Sequence, residues 1–180
     1  MNISVRRQFH KYPNKYLLES GSYLGEGISD ALNCGFSTVI SFEVKEDLYD
    51  HCIKKFRGNP KVKLVLGSTA NLLYDVIKDI DEPITFWLDG HYSCGITGYD
   101  KDCISPLVKE LEQIKRHHIK THTIMIDDRR LLKPSNSGGL DGYFDVTEEE
   151  IIKKLLEINP EYRIRFEDGH QNSDIIVAHL

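Results

Sequence analysis

The sequence predicts a single-domain α/β protein with a doubly wound, mostly parallel seven-stranded sheet and helices on both faces. Apolar runs of strand length alternate with segments of helical period along the 180 residues, as in successive βαβ units. Only turn residues, among them Asp168, Gly169 and Asn172, separate the last two runs. These two runs are therefore predicted to form an antiparallel hairpin at the edge of the sheet. A chain of this length buries about 70% of its surface, which is enough for one core.

Seven apolar runs are predicted to be the strands. In chain order they cover residues 16–19, 38–42, 63–66, 84–88, 123–126, 162–166 and 174–179. Residues 1–15 precede the first strand and form a short N-terminal extension of a single domain that covers residues 1–180. The alternation of these runs with helical segments makes most of the strands parallel.

Four helices are predicted between the strands, the first over residues 28–33. Ser105 is the predicted N-cap of another, with Pro106 at its first helical position, where a missing N–H costs nothing. Residues Thr147 to Glu150 form a capping box that opens a further helix. Apolar residues recur at spacings of three and four in the later helices: Leu72, Leu73, Val76, Ile77 and Ile80; Ile104, Leu107, Val108, Leu111 and Ile114; Ile151, Ile152, Leu155 and Leu156.

Composition excludes several classes of protein. With 23 basic and 28 acidic side chains the net charge is −5, which argues against a nucleic-acid partner or an anionic membrane surface. No apolar run approaches the roughly 20 residues of a membrane helix, and residues 1–15 do not resemble a secretory signal. The four cysteines form no CxxC pair, so reduced thiols in a soluble, cytoplasmic protein are expected.

The first predicted strand runs into a glycine-rich turn, LESGSYLGEG, which precedes the first helix. Glycines at such a turn let the backbone approach a ligand, and the following helix N-terminus offers free N–H groups. The dinucleotide fingerprint GxGxxG fails in both registers, at Tyr23 and at Asp30, and the GxxxxGK pattern is absent. The turn reads ExGxxxGxG instead.

The residues of this turn are candidates for binding a cofactor, namely Glu19, Gly21, Ser22, Gly25 and Gly27. A carboxylate at Glu19 suits a ligand with an ammonium group and repels pyrophosphate. Glu43 ends the second strand, 24 residues after Glu19, where an acid accepts hydrogen bonds from a ribose diol. Ser68 ends the third strand and is expected to meet an adenine edge. Together these positions predict an adenosine ligand with a cationic tail.

The motifs resemble those of class I S-adenosylmethionine-dependent methyltransferases. The resemblance covers residues 16–180 and is carried by LESGSYLGEGISDAL, SFEV, LGST, FWLDGHY and IMIDD. The last two resemble the metal-dependent macrocin-type O-methyltransferases that act on sugars, with more distant kinship to catechol O-methyltransferase. The resemblance implies a Rossmann-like methyltransferase fold with S-adenosylmethionine as cofactor, and Asp89 as one of the residues that bind it.

Three carboxylates follow the fourth and fifth predicted strands. Asp89 ends one strand and Asp127 and Asp128 end its neighbour, so the three are expected to converge on one rim of the sheet. A divalent cation would relieve their repulsion, and oxygen ligands favour Mg²⁺. The resemblance implies the same three metal ligands. The alternative is that Asp127 and Asp128 cap the next segment or pair with Arg129 and Arg130.

His91 lies two residues beyond Asp89 and is the predicted general base, since an imidazole suits that role at neutral pH. The alternative is a loop histidine bonded to a backbone carbonyl. The glycine-rich stretches 90–103 and 133–145 follow strand ends and are predicted to be functional lids, with Tyr92 and Tyr99 shaping the acceptor pocket.

The predicted activity is transfer of a methyl group from S-adenosylmethionine to a sugar or glycan hydroxyl, with Asp89 and His91 as the catalytic residues. A catechol or phenolic acceptor would use the same metal site and stays open. A non-catalytic S-adenosylmethionine-binding module would have no use for the carboxylates and His91 together. A homo-oligomer in which a partner completes the lid also stays open, because only about 15 residues precede the first strand.

Overall fold

The structure is a computed structural model that describes residues 8–91, 105–132 and 146–180. The strands are β1 (Tyr16–Ser20), β2 (Thr38–Glu43), β3 (Val62–Leu66), β4 (Ile84–Leu88), β5 (Thr123–Ile126), β6 (Arg163–Glu167) and β7 (Ile175–His179). The helices are α1 (Glu26–Asn33), α2 (Glu46–Lys55), α3 (Thr69–Ile77), α4 (Leu107–Arg116) and α5 (Glu148–Ile158), with a 3₁₀ turn at Arg129–Leu131. Among the described residues, no helix is both long enough and apolar enough to cross a bilayer.

The strands form one seven-stranded sheet in the order β3-β2-β1-β4-β5-β7-β6. Strands β1 to β5 pair in parallel, whereas β7 is antiparallel to both β5 and β6. The predicted fold class is confirmed, including the C-terminal hairpin at the sheet edge. The strand order reverses between β1 and β4, and this is the place where open α/β sheets bind ligands.

Alternate residues of the strands pack into two cores on opposite faces of the sheet. Leu18 and Phe86 face α3, α4 and α5, while Leu17 and Trp87 face α1. Phe9 joins the second core and packs edge to face on Trp87, so this part of the N-terminal extension covers the sheet. Successive side chains of a strand point to opposite faces of the sheet, and here both sets are apolar. Helices are therefore needed on both faces to bury them.

Several element boundaries differ from the sequence-based ones. Helix α4 starts at Leu107, because the Pro106 carbonyl accepts its first helical bond, so the predicted cap at Ser105 is one residue early. The capping box of Thr147 and Glu150 is confirmed at the start of α5. Helix α2 was not predicted, since only Leu48 and Cys52 of its ten residues are buried. Most of the two predicted lids lies outside the described residues.

Two buried histidines, His117 and His122, lie near the amino ends of β4 and β5, whereas the candidate site lies at the carboxyl ends of the strands. The Ile84 amide donates to His122 Nδ1, and His122 Nε2 is 3.0 Å from His117 Nδ1. His117 Nε2 faces the Ile77 carbonyl at 2.9 Å. Because an amide can only donate, both rings are neutral and carry their proton on Nε2. These two histidines therefore join α3 to the sheet.

Candidate active site

A cavity of about 210 Å³ opens at the C-terminal edge of β1, β4 and β5. Its wall includes the end of β1, the glycine-rich turn, the first turns of α1, and the residues that follow β4 and β5. The lining residues are Glu19, Gly21, Ser22, Tyr23, Glu26, Gly27, Asp30, Trp87, Asp89 and Asp127. The strand pairing explains this convergence, because the carboxyl ends of neighbouring parallel strands meet at one edge.

Five of the eight residues predicted to bind a cofactor line the cavity: Glu19, Gly21, Ser22, Gly27 and Asp89. The other three, Gly25, Glu43 and Ser68, lie outside its lining. Gly25 instead has a left-handed backbone, with φ 74°, and a Cβ there would lie 2.5 Å from the Phe56 ring. Ser68 lies between β3 and α3, and its carbonyl accepts bonds from the first turn of that helix.

The amides of the glycine-rich turn are largely used within the protein. Gly21 and Ser22 both donate their N–H groups to the Phe42 carbonyl, at 3.0 and 2.8 Å. Tyr23 N–H donates to Glu43 Oε2 at 3.0 Å, and Lys45 N–H donates to Oε1 of the same carboxylate. The turn therefore presents carboxylates to the cavity in place of the row of free N–H groups that would bind a phosphate.

Glu19 lines the cavity and is buried, with 3% of its surface exposed. Its Oε2 accepts a 2.6 Å bond from the Ser41 hydroxyl, and a Cβ on Gly27 would overlap its Oε1. Burial raises the pKa of Glu19 to about 8; the Ser41 bond opposes this shift, while the charges of Glu43 and Asp30 add to it. A cationic ligand in the cavity would stabilise the ionised form of this carboxyl.

Helix α2 holds the outer side of the turn. The Lys55 ammonium group donates to the carbonyls of Leu24 and Gly25, at 2.8 and 3.2 Å. The Cys52 thiol donates to the Tyr23 carbonyl at 3.3 Å. Sequence analysis missed these contacts, because they join a helix side chain to backbone about 30 residues away. Nothing in the sequence marks such a pair.

Asp30, like Glu26, is an acidic lining residue that was not predicted to bind a ligand. It lies on α1 with 3% of its surface exposed, four residues after Glu26 and three after Gly27. Residues at these spacings share one face of a helix. This helical spacing is therefore a usable sequence signal for Asp30.

The three predicted metal ligands lie close enough to interact electrostatically. Burial raises the pKa of Asp89, and the charges of Asp127 and Asp128 raise it further, although 38% of its side chain is exposed at the cavity. Burial, followed by repulsion from Asp128, raises the pKa of Asp127 to about 6. Asp127 Oδ1 is buried and has no hydrogen-bond partner among the described residues.

His91 lies between two of these carboxylates, with 3% of its side chain exposed. Its Nδ1 is 3.5 Å from Asp89 Oδ1, and its Nε2 is 3.2 Å from Asp128 Oδ2. Burial acts to raise the pKa of Asp128, but His91 and Arg130 more than offset it, so this pKa is lowered. Both ring nitrogens therefore face carboxylates in this structure.

The two arginines after Asp128 are both paired. Arg130 bridges Asp128 and the buried Asp174, while Arg129 donates to Glu148 Oε2 at 2.6 Å. The pairing of Asp128 with Arg130 is the alternative that the sequence left open, and here it coexists with the contact to His91. Each oxygen of Asp128 thus has a cationic or imidazole neighbour.

Two groups of side chains bring their ligand atoms within 4.8 Å of one another: Asp89, His91 and Asp128; and Asp127, Asp128 and Asp174. Within the described part of the chain, neither group contains all three predicted metal ligands. Asp128 belongs to both groups and therefore joins Asp89 to Asp127. The buried Asp127 Oδ1 and the mutual repulsion of the acids fit a hard divalent cation at this rim.

The buried carboxyl of Glu110 is connected to Asp89 through the Ser20 hydroxyl. Glu110 on α4 accepts a hydrogen bond from the Thr69 hydroxyl and also interacts with the Ser20 hydroxyl. Ser20 Oγ in turn accepts the Asp89 N–H at 3.0 Å. Burial raises the pKa of Glu110 to about 7, against these two hydrogen bonds. Glu110 is a charged residue on the apolar face of α4, and this position is the sequence signal that it has a buried partner.

No family model matches the chain, and neither does any curated protein. Solved structures do share its fold. An S-adenosylhomocysteine-bound methyltransferase from Podospora anserina is 13% identical, with a TM-score of 0.61 over 97% of this chain and 75% of that one. Human N-acetylserotonin methyltransferase, in complex with S-adenosylmethionine, is 12% identical, with a TM-score of 0.57 over 97% of this chain and 51% of that one.

An rRNA methylase from Streptococcus thermophilus is 13% identical, with a TM-score of 0.57 over 97% of this chain and 93% of that one. At such identities the likeness shows the fold alone, which this chain shares with these methyltransferases. The acceptors named for these proteins differ as widely as N-acetylserotonin and rRNA. The shared fold therefore does not select an acceptor, and the macrocin-type resemblance stays a prediction.

Proposed function

We propose that this protein is an S-adenosylmethionine-dependent O-methyltransferase that acts on a sugar or glycan hydroxyl with the help of a divalent cation. The observation that carries the proposal is the cavity that runs from Glu19, beside the glycine-rich turn, to Asp89 and Asp127. One end suits a cationic methyl donor, and the other end suits a metal and a hydroxyl group. The shared methyltransferase fold supports the same reading.

The described residues fit S-adenosylmethionine better than a dinucleotide. The turn amides are bonded to Phe42 and Glu43, so few are left for a pyrophosphate. Buried Glu19 and Asp30 favour a ligand with positive charge. Glu43 has lone pairs to spare after accepting two backbone N–H groups, but it lies outside the cavity lining, so its bond to a ribose hydroxyl stays a prediction.

Asp89, Asp127 and Asp128 would hold the divalent cation, with Mg²⁺ as the preferred ion for an oxygen donor set. When bound, such a cation lowers the pKa of a hydroxyl on the acceptor and orients that oxygen. Asp127 would use the oxygen that has no partner among the described residues. To bind the metal, Asp128 would have to give up its contact with His91 or its contact with Arg130.

His91 is the proposed general base. Its contacts with Asp89 and Asp128 fix the ring beside the carboxylates that would hold the metal, and so beside the hydroxyl that the metal would orient. The ring would take up the proton that the hydroxyl loses, once one nitrogen is released from its carboxylate. We assign the protein to the cytoplasm, where the thiols of Cys34 and Cys52 stay reduced.

Methyl transfer from isotopically labelled S-adenosylmethionine to a panel of acceptors tests this proposal. The panel contains nucleotide sugars, free glycans, catechols and a structured RNA, each assayed with Mg²⁺ and with a chelator. We expect a sugar hydroxyl to be methylated, and chelation to lower the rate about 100-fold. If a catechol were methylated in preference to every sugar, the acceptor class would be catechols and the sugar assignment would be wrong. Donor binding without transfer to any acceptor would favour a non-catalytic module.

A further inference from the structure

We infer that Asp30 makes the cavity selective for the cationic methyl donor over its uncharged product, so that S-adenosylmethionine binds more tightly than S-adenosylhomocysteine. This inference rests on the proposed function and adds a residue that sets ligand preference within the same cavity. It also implies that the product leaves readily after each turnover.

The charged side chains in the described part of the cavity wall are all acidic. Five of its ten lining residues are acidic: Glu19, Glu26, Asp30, Asp89 and Asp127. None of the lining residues that the structure describes is a lysine, arginine or histidine. Such a wall, enclosed by protein of low dielectric constant, attracts a ligand with net positive charge and gives no such help to a neutral one.

Methyl transfer changes the charge of the ligand inside this wall. The donor carries a sulfonium, an ammonium and a carboxylate group, so its net charge is +1. In the reaction the bond between sulfur and the methyl carbon breaks, and both electrons of that bond stay on sulfur. The hydroxyl oxygen forms a bond to the methyl group and its proton goes to the general base. The product keeps the same adenosine and amino-acid groups but has no net charge.

Asp30 is the acid best placed to set this preference alone. It is buried, so solvent screens its charge weakly, whereas Glu26 on the same helix face is exposed. Glu19 lies against Gly27 and is a predicted cofactor-binding residue, so its removal would also change the packing of the glycine-rich turn. Asp89 and Asp127 belong to the proposed metal site. Asp30 and Glu19 both line the cavity, and the charge of Asp30 contributes to the raised pKa of Glu19.

Calorimetric titration with three ligands tests the inference. S-adenosylmethionine, S-adenosylhomocysteine and sinefungin, whose amine replaces the sulfonium, are titrated into the wild-type chain. We expect the donor and sinefungin to bind about 10-fold more tightly than the product, which corresponds to about 1.4 kcal/mol. Product affinity equal to or greater than donor affinity in the wild-type chain would overturn the inference without any variant.

The isosteric variant Asp30→Asn assigns the effect to one residue. We expect it to reduce the preference to about 2-fold by weakening the donor and sinefungin, while the product binds as before. Asp47→Asn, at an exposed acid of α2 that lies outside the cavity lining, is the charge-matched control and should keep the wild-type preference. Equal weakening of all three ligands by Asp30→Asn would contradict the assignment. If the wild-type chain bound none of the three, the proposed function itself would fail.

Discussion

Replacing Gly27 by alanine should weaken S-adenosylmethionine binding by about 100-fold or more, equivalent to about 2.7 kcal/mol. A Cβ atom at this position overlaps Glu19 Oε1, and Glu19 is held from its other side by Ser41. The carboxylate would have to move into the space that the ligand needs. Since alanine favours a helix more than glycine does, a loss of binding would not come from unfolding of α1.

A double-variant cycle separates this contact from other effects. Glu19→Ala removes the group that the new methyl strikes, so Gly27→Ala should cost little more in that background. Ser29→Ala, on the same helix, is the control for a general disturbance of α1 and should bind within about 2-fold of wild type. Calorimetry measures all four variants. Wild-type affinity in Gly27→Ala would show that the ligand does not depend on this wall.

Asp127→Asn should lower the methyl-transfer rate at least about 100-fold and abolish its dependence on Mg²⁺. The substitution keeps the shape of the side chain but removes a charge from the proposed metal site. Binding of S-adenosylmethionine should change by only a few-fold, because the rest of the wall is intact. The readouts are the initial rate against Mg²⁺ concentration and the affinity for the donor.

The melting temperature of Asp127→Asn distinguishes a local loss of activity from unfolding of the protein. Burial and repulsion from Asp128 both disfavour the ionised form of Asp127, so its replacement should raise the melting temperature of the metal-free protein at pH 8. Asp81→Asn is the control, since Asp81 has a side chain that is 90% exposed and lies far from the cavity edge of the sheet. A variant that lost activity because it unfolded would instead melt at a lower temperature.

The fold followed from the sequence because its signals are local. Strand runs bounded by turn residues, and the capping box at Thr147, depend on neighbours within a few positions, and the structure confirms both. Helix α2 escaped prediction because it buries only two of its ten residues, so no apolar stripe marks it. The start of α4 moved by one residue, which is the usual uncertainty at a helix end.

The site was predictable where the strand ends determine it. Glu19, Asp89 and Asp127 line the cavity because each stands at the end of a strand, and the strand order brings those ends together. The contacts between distant segments were not predictable. Neither the bonds of Glu43 to the turn backbone nor the bonds from Lys55 leave a pattern in the sequence.

His91 shows the same limit in a single residue. The sequence places His91 two residues beyond Asp89, and in the structure its Nδ1 is 3.5 Å from Asp89 Oδ1. Its contact with Asp128 depends on where β5 ends relative to β4, which no local pattern records. The same contact is why release of a ring nitrogen has to precede its proposed action as a base.

The most direct test is calorimetric titration of S-adenosylmethionine into the purified protein, with Mg²⁺ and again with a chelator. We expect one molecule to bind per chain with micromolar affinity in both conditions, since the wall around the donor extends well beyond the carboxylates that would hold the metal. No binding in either condition would contradict the assignment of the cavity to this cofactor, and with it the proposed methyl transfer.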